Sequence, residues 1–120
     1  MARVIGFELN SPEPEKAAEF YSKVFNWEIS EPKWDYRSVS TGEITQYGID
    51  GGIAKGPSDY PHGTRIQVEV DCMDEVLVTA KNNGAMILRE KMEFNEFYLS
   101  YLIDPTGICI GLIEKKKRMY

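Results

Sequence analysis

The stretch Phe97-Tyr98-Leu99-Ser100-Tyr101-Leu102-Ile103-Asp104-Pro105-Thr106-Gly107-Ile108-Cys109-Ile110-Gly111-Leu112-Ile113-Glu114 decides the fold. Two runs of aromatic and branched residues flank Asp104-Pro105-Thr106-Gly107. Pro105 suits the first central position of a type I or II turn, and Gly107 tolerates positive φ. The pattern predicts strand, turn, strand. It closes the globular part of the chain, so it completes a sheet that earlier segments begin.

Working back from the hairpin, Ala85 to Arg89 predicts a strand. Met73 to Asn83 predicts a helix with Met73, Val76, Leu77 and Ala80 inward, Asp71 as its cap and Gly84 as its stop. Thr64 to Val70 predicts a strand with Ile66, Val68 and Val70 on one face and Arg65, Gln67 and Glu69 on the other. Gly51-Gly52, Gly56-Pro57 and Tyr60-Pro61-His62-Gly63 mark the segment richest in turn residues, which reads as a linker. The same succession precedes it. Arg3 to Leu9 predicts a strand with Ile5, Phe7 and Leu9 on one face and Val4, Gly6 and Glu8 on the other. Pro14 to Phe25 predicts a helix whose stripe of Ala17, Phe20, Tyr21, Val24 and Phe25 reads as core, with Asn26 ending it in the left-handed region. Further strands are expected at Trp27–Ser30, Trp34–Ser40 and Ile44–Ile49.

The order is therefore β-α-β-β-β, twice. The predicted fold class is α+β: paired βαβββ modules, about residues 3–56 and 63–114, within one domain over residues 1–120, enclosing a cleft and followed by a basic tail at 115–120. The faces opposite the helices, Gly6 and Glu8 in one module and Arg65, Gln67 and Glu69 in the other, are expected to line that cleft.

Composition excludes some functions. The 120 residues are 42% hydrophobic and 28% charged, which is globular, and the net charge of −5 argues against a nucleic-acid partner. It suits a neutral or cationic ligand better. No apolar run matches a signal peptide or the roughly 20 residues that span a bilayer, so no membrane partner is expected and the localisation reads as cytoplasmic. Cys72 and Cys109 give no disulfide framework and no CxxC pair. The basic cluster Lys115-Lys116-Lys117-Arg118 reads as a solvated tail in preference to a contact for an acidic partner.

Three segments together resemble the vicinal oxygen chelate superfamily, the group of glyoxalase I, the bleomycin-resistance proteins and the extradiol dioxygenases. They are Phe7-Glu8-Leu9, the run from Ala17 through Phe20-Tyr21 and Val24-Phe25-Asn26-Trp27, and Asp104-Pro105-Thr106-Gly107. The resemblance covers Val4 to Glu114. It implies the fold, a cleft and a homodimer, and it leaves the chemistry open because members of this fold catalyse unrelated reactions. Metal enzymes of this superfamily hold a divalent ion with side chains of the first, fourth, fifth and eighth strands. The matching positions here are Gly6, a place among Asp50, Gly51 and Gly52, Arg65, and Gly111. Glycine offers no donor and arginine stays protonated. The expectation is no inherited metal site and no cofactor.

The candidate ligand-binding residues are Glu8, Arg65, Gln67, Glu69, Tyr98 and Cys109; no catalytic residue stands out. Arg65 would take a carboxylate or phosphate bidentately, or it would pair structurally with Glu8 or Glu69. Gln67 would orient a ligand or satisfy a neighbour. Cys109 shares the cleft side with Gly111, as a thiol or as a small apolar filler. Cys72 sits at a helix start, and His62, the one histidine, in a loop. Trp34, Tyr36, Tyr47, Phe94, Phe97, Tyr98 and Tyr101 supply aromatics for a ligand or for packing. The resulting expectation is a metal-independent, glyoxalase-related small-molecule-binding protein or an enzyme of unknown substrate. The alternatives are a drug-sequestering resistance protein of the bleomycin-binding kind and a lyase or dioxygenase with a displaced metal site.

Overall fold

The expected β-α-β-β-β repeat is the element order of the computed structural model, which describes residues 2–117. Met1 and the Arg118 end of the basic cluster lie outside the described residues. The elements are β1 (Arg3–Asn10), α1 (Pro14–Phe25), β2 (Glu28–Ile29), β3 (Tyr36–Ser40), β4 (Asp50–Ala54), β5 (Gly63–Glu69), α2 (Met73–Asn82), β6 (Met86–Glu93), β7 (Phe97–Ile103) and β8 (Cys109–Lys115). The architecture is α+β. The chain divides into an N-terminal module, Gly6–Thr64, and a C-terminal module that begins at Arg65 and includes the residues up to Ile5. The N-terminal strands run in the order β2-β3-β4-β1 and the C-terminal strands in the order β5-β8-β7-β6. In each module the first and last strands pair parallel and the hairpins antiparallel. The two halves thus repeat one topology. Among the described residues, no helix is long and apolar enough to cross a membrane.

In the N-terminal module, Pro14 opens α1 and Asn26 closes it at φ 59°, ψ 29°. Alternation along β1 turns Phe7 and Leu9 toward a core of Ala18, Val39 and Ile53, where Ala17, Tyr21, Trp27 and Ile29 also pack. The expected apolar stripe is only partly core: Phe20, Val24 and Phe25 are 56%, 55% and 54% exposed. The buried line of the helix runs through Ala18 and Tyr21, so Phe20 and Val24 fall on its flank, and Phe25 lies in the last turn.

The fourth strand also departs from expectation. Ile44–Ile49 is turn and loop, with Ile44 and Tyr47 fully exposed, and the strand is Asp50–Ala54 instead. Its Gly51-Gly52 pair, read from sequence as linker, lies inside the sheet. A Cβ on Gly51 would overlap the Phe7 carbonyl, so close backbone approach requires glycine there, and one on Gly52 would overlap the end of the Tyr36 ring as it now lies. The third strand starts at Tyr36 because Trp34 and Asp35 form the hairpin tip, at φ 56° and 60°.

In the C-terminal module the Phe97–Glu114 hairpin pairs as its sequence predicts, from Ile103 opposite Cys109 to Phe97 opposite Lys115. Gly107 adopts φ 98°, and Asp104 Oδ1 accepts the Thr106 N–H at 2.7 Å and the Ile108 N–H at 3.1 Å. Val70, Met73, Leu77, Leu102 and Leu112 form the core beneath α2. Asp71 was expected to cap α2. The Ncap residue is instead Cys72, without a side-chain cap, and the Met73 N–H donates to Glu114 Oε1 at 2.7 Å. β6 extends to Glu93, well beyond the expected Arg89, with register shifts on both sides of Arg89.

Candidate ligand-binding face of the C-terminal module

Strand alternation divides this sheet into two faces. Val68, Leu112, Ile110 and Leu102 face α2. Arg65, Gln67 and Glu69 of β5, Cys109, Gly111 and Ile113 of β8, and Tyr101 of β7 share the opposite face, with Gln67 and Tyr101 each registered on Gly111. The structure brings Arg65, Gln67, Cys109 and Tyr101 together here. Arg65 is only 4% exposed; its Nη1 donates to Cys109 Sγ at 3.2 Å, and its guanidinium carbon lies 5.1 Å from the centre of the Tyr101 ring. The aromatic face and the sulfur both help to fix the position of the guanidinium. A Cβ on Gly111 would stand 3.2 Å from Tyr101 and 3.6 Å from Gln67, so Tyr101 already occupies the room that the missing side chain leaves.

Glu69 lies on the same face farther along, opposite Ile113, with Oε2 3.2 Å from Lys115 Nζ. That oxygen is buried and makes no well-aligned hydrogen bond. Arg65 contacts within this module include Cys109 and Tyr101, and Glu69, one of the two carboxylates expected as its structural partner, is drawn to Lys115.

Tyr98 does not belong to this face. It is one residue out of phase with Tyr101 and Leu99, so it packs toward α2. Lys91 and Lys116 stand 4.2 and 5.1 Å from its ring centre. Lys116 also donates to Glu93 at 2.6 Å, and that hydrogen bond holds the Glu93 carboxyl below the usual carboxylate range. Glu8 lies in the N-terminal module, buried on the face of β1 opposite Phe7 and Leu9, and is registered on Gly52. His62 is exposed, and Cys72 is half-buried at the start of α2.

In the sequence Tyr101 reads only as one of several aromatics for a ligand or for packing, and Lys115 only as the start of a basic tail; the structure puts both on this face. The signal for Tyr101 was present: a turn over Asp104–Gly107 that pairs Ile103 with Cys109 necessarily pairs Tyr101 with Gly111.

The four positions that the resemblance marks for a divalent ion do not fit one. Gly6 and Gly111 carry no donor. Gly52 lies under the Tyr36 ring, and the Asp50 carboxylate accepts the Thr41 N–H at 2.9 Å. Arg65 brings a positive charge to the fifth-strand position. Among the described residues, no three His, Cys, Asp or Glu side chains converge as a metal site would require.

No protein-family model and no curated protein matches the chain. Solved structures do match. A glyoxalase/bleomycin resistance protein/dioxygenase superfamily member from Vibrio splendidus 12B01 matches with a TM-score of 0.65 and 14% identity, over 97% of this chain and 100% of that one. An extradiol ring-cleaving dioxygenase from B. fuscum matches at 0.66 and 16%, over 98% of this chain but 34% of that one. Methylmalonyl-CoA epimerase from Mycobacterium tuberculosis matches at 0.55 and 13%, over 94% and 86%. At these identities the likeness is one of fold.

Proposed function

We propose that this chain, which has the fold of the glyoxalase/bleomycin-resistance/dioxygenase proteins, is a metal-independent small-molecule-binding protein. Its ligand lies against the face carrying Arg65, Gln67, Glu69 and Cys109. The observation that supports this is the Arg65 geometry: a cation held between Cys109 Sγ and the Tyr101 ring, at the strand position where the resemblance implies a metal ligand. A guanidinium can bring fixed positive charge and a planar fork of donors to a ligand carboxylate or phosphate. Half-buried Gln67 and Glu69 add one amide and one carboxylate to orient it.

The test is a thermal-shift series with small carboxylates and phosphates on the wild type and on Arg65→Lys, which keeps the charge but loses the fork. A ligand specific to the native state raises the midpoint. The expected result is a rise with the anions that falls in Arg65→Lys. An unchanged rise in Arg65→Lys refutes the anchor, and a rise with cationic glycopeptides alone replaces this reading with drug sequestration. Elemental analysis of the same preparation tests the metal claim, because stoichiometric Zn, Ni, Fe or Mn would overturn it. Light scattering on that sample tests the homodimer that the resemblance implies.

A further inference from the structure

The far end of β8 from Cys109, about 20 Å along the strand at ~3.3 Å per residue, carries a concavity. It is a cavity of about 470 Å³ formed where β7 begins and β8 ends. Ile5, Phe97 and Ile113 give it an apolar floor, and Lys115, Lys116 and Lys117 give it a basic wall, against a single lining carboxylate, Glu96. Phe97, the aromatic residue of the floor, stacks on Phe94 outside the lining, with ring centres 5.1 Å apart and planes 16° from parallel.

The lysines differ in how firmly they are held. Lys116 is committed, paired with Glu93 at 2.6 Å and set against the Tyr98 ring. Lys115 is 70% exposed and meets Glu69 at 3.2 Å without good hydrogen-bond alignment. The ammonium end of this pair is exposed and the pair is poorly aligned, so Lys115 can turn toward an incoming anion while staying near Glu69. Lys117 is exposed at the rim.

From this combination we infer that the cavity binds a small amphipathic carboxylate, one acidic head on an aromatic or short alkyl body. The volume lies within the range of small-molecule sites, and an apolar floor beside a few polar groups is their usual composition. An inorganic anion would leave the Ile5, Phe97 and Ile113 surface wet, and an organic cation would meet the lysines. The site uses neither Arg65 nor Gln67, and it adjoins the ligand face described above through Ile113 and Lys115, so the two are told apart by an Arg65 variant.

The test uses octanoate as the probe, with octanol and octylammonium as controls of matched body, followed by proton–nitrogen correlation spectra of the full chain. Octanoate is expected to shift the amides of Phe97, Ile113 and Lys115 to Lys117 saturably, with octanol and octylammonium binding more weakly. The double variant Lys115→Glu, Lys117→Glu changes exposed side chains and is expected to lose affinity by about tenfold or more, the scale of a lost charge-assisted hydrogen bond. Arg65→Lys is expected to leave the octanoate-induced shifts at Phe97, Ile113 and Lys115 to Lys117 in place. Shifts clustered on other residues, equal binding of either control, or unchanged affinity in the double variant would overturn the assignment. A loss confined to Arg65→Lys would also overturn it, by moving the anion to the other site.

Discussion

Arg65 Nη1 and Cys109 Sγ lie 3.2 Å apart, joining the beginnings of β5 and β8 by a hydrogen bond buried at both ends. With Tyr101 beneath the guanidinium, side chains from three strands interlock on one face. The consequence for reactivity is burial: Cys109 is 6% exposed, whereas Cys72 is half-buried at the start of α2.

Thiol alkylation should therefore be sequential. Iodoacetamide is expected to modify Cys72 first in the native protein, with Cys109 following only as the sheet opens, because access limits the attack on a buried thiol. Peptide mapping by mass spectrometry over time checks the order. Equal native rates would mean that the Arg65–Cys109 contact is open in solution.

Glu114 supplies from β8 the cap that α2 lacks in its own sequence, accepting the Met73 N–H at 2.7 Å. Glu114→Ala should cost about 1–2 kcal/mol, the scale of a lost helix cap. Glu114→Gln, which keeps an acceptor oxygen, should cost less. Urea denaturation of the three proteins measures the difference, and equal losses would mean that the carboxylate charge matters more than the hydrogen bond.

The adjacent glycines of β4 should respond unequally to added methyl groups. A Cβ on Gly51 meets a backbone carbonyl, that of Phe7, which cannot move without disturbing the ladder. A Cβ on Gly52 meets the far end of the Tyr36 side chain, which can swing aside. Gly51→Ala should cost about 1–3 kcal/mol or more, as overpacking does, and Gly52→Ala less. Adding Tyr36→Ala should relieve only Gly52→Ala, and denaturation midpoints of the single and double variants decide this.

The hairpin turn should make stability depend on acid. The hydrogen bond from the Thr106 side chain, followed by that from the Ile108 backbone, lowers the Asp104 carboxyl below its ordinary value. A carboxylate depressed in the folded state adds stability that is fully present above its unfolded value, ~4, and is lost as the pH falls through the folded one. Asp104→Asn should therefore be less stable than wild type at pH 7, and the gap should narrow as the pH falls below that unfolded value. Denaturation midpoints at pH 7 and pH 3 test it, and a gap of constant size would show that the charge plays no part.

Legibility varied with the distance over which each constraint acts. Pro14 and Asn26 bracket α1 by their own backbone preferences, and Asp104 to Gly107 sets a register that carries Tyr101 onto Gly111. Tyr98 was misplaced because an aromatic in a strand suits either face, and only the register assigns it to the α2 side. Lys115 read as the start of a tail, yet β8 continues through it and aligns it with Phe97.

The sequence by itself determined the β-α-β-β-β repeat, the closing hairpin and the absence of metal donors at Gly6 and Gly111. These follow from side-chain alternation, turn chemistry and the atoms each residue carries. The tertiary structure alone decided that Gly51-Gly52 is a strand, that Glu114 caps α2, and that Arg65 rests between Cys109 and Tyr101. In each case the deciding atom comes from a segment remote in the chain, and local propensity carries no information about such a contact until the sheet has formed.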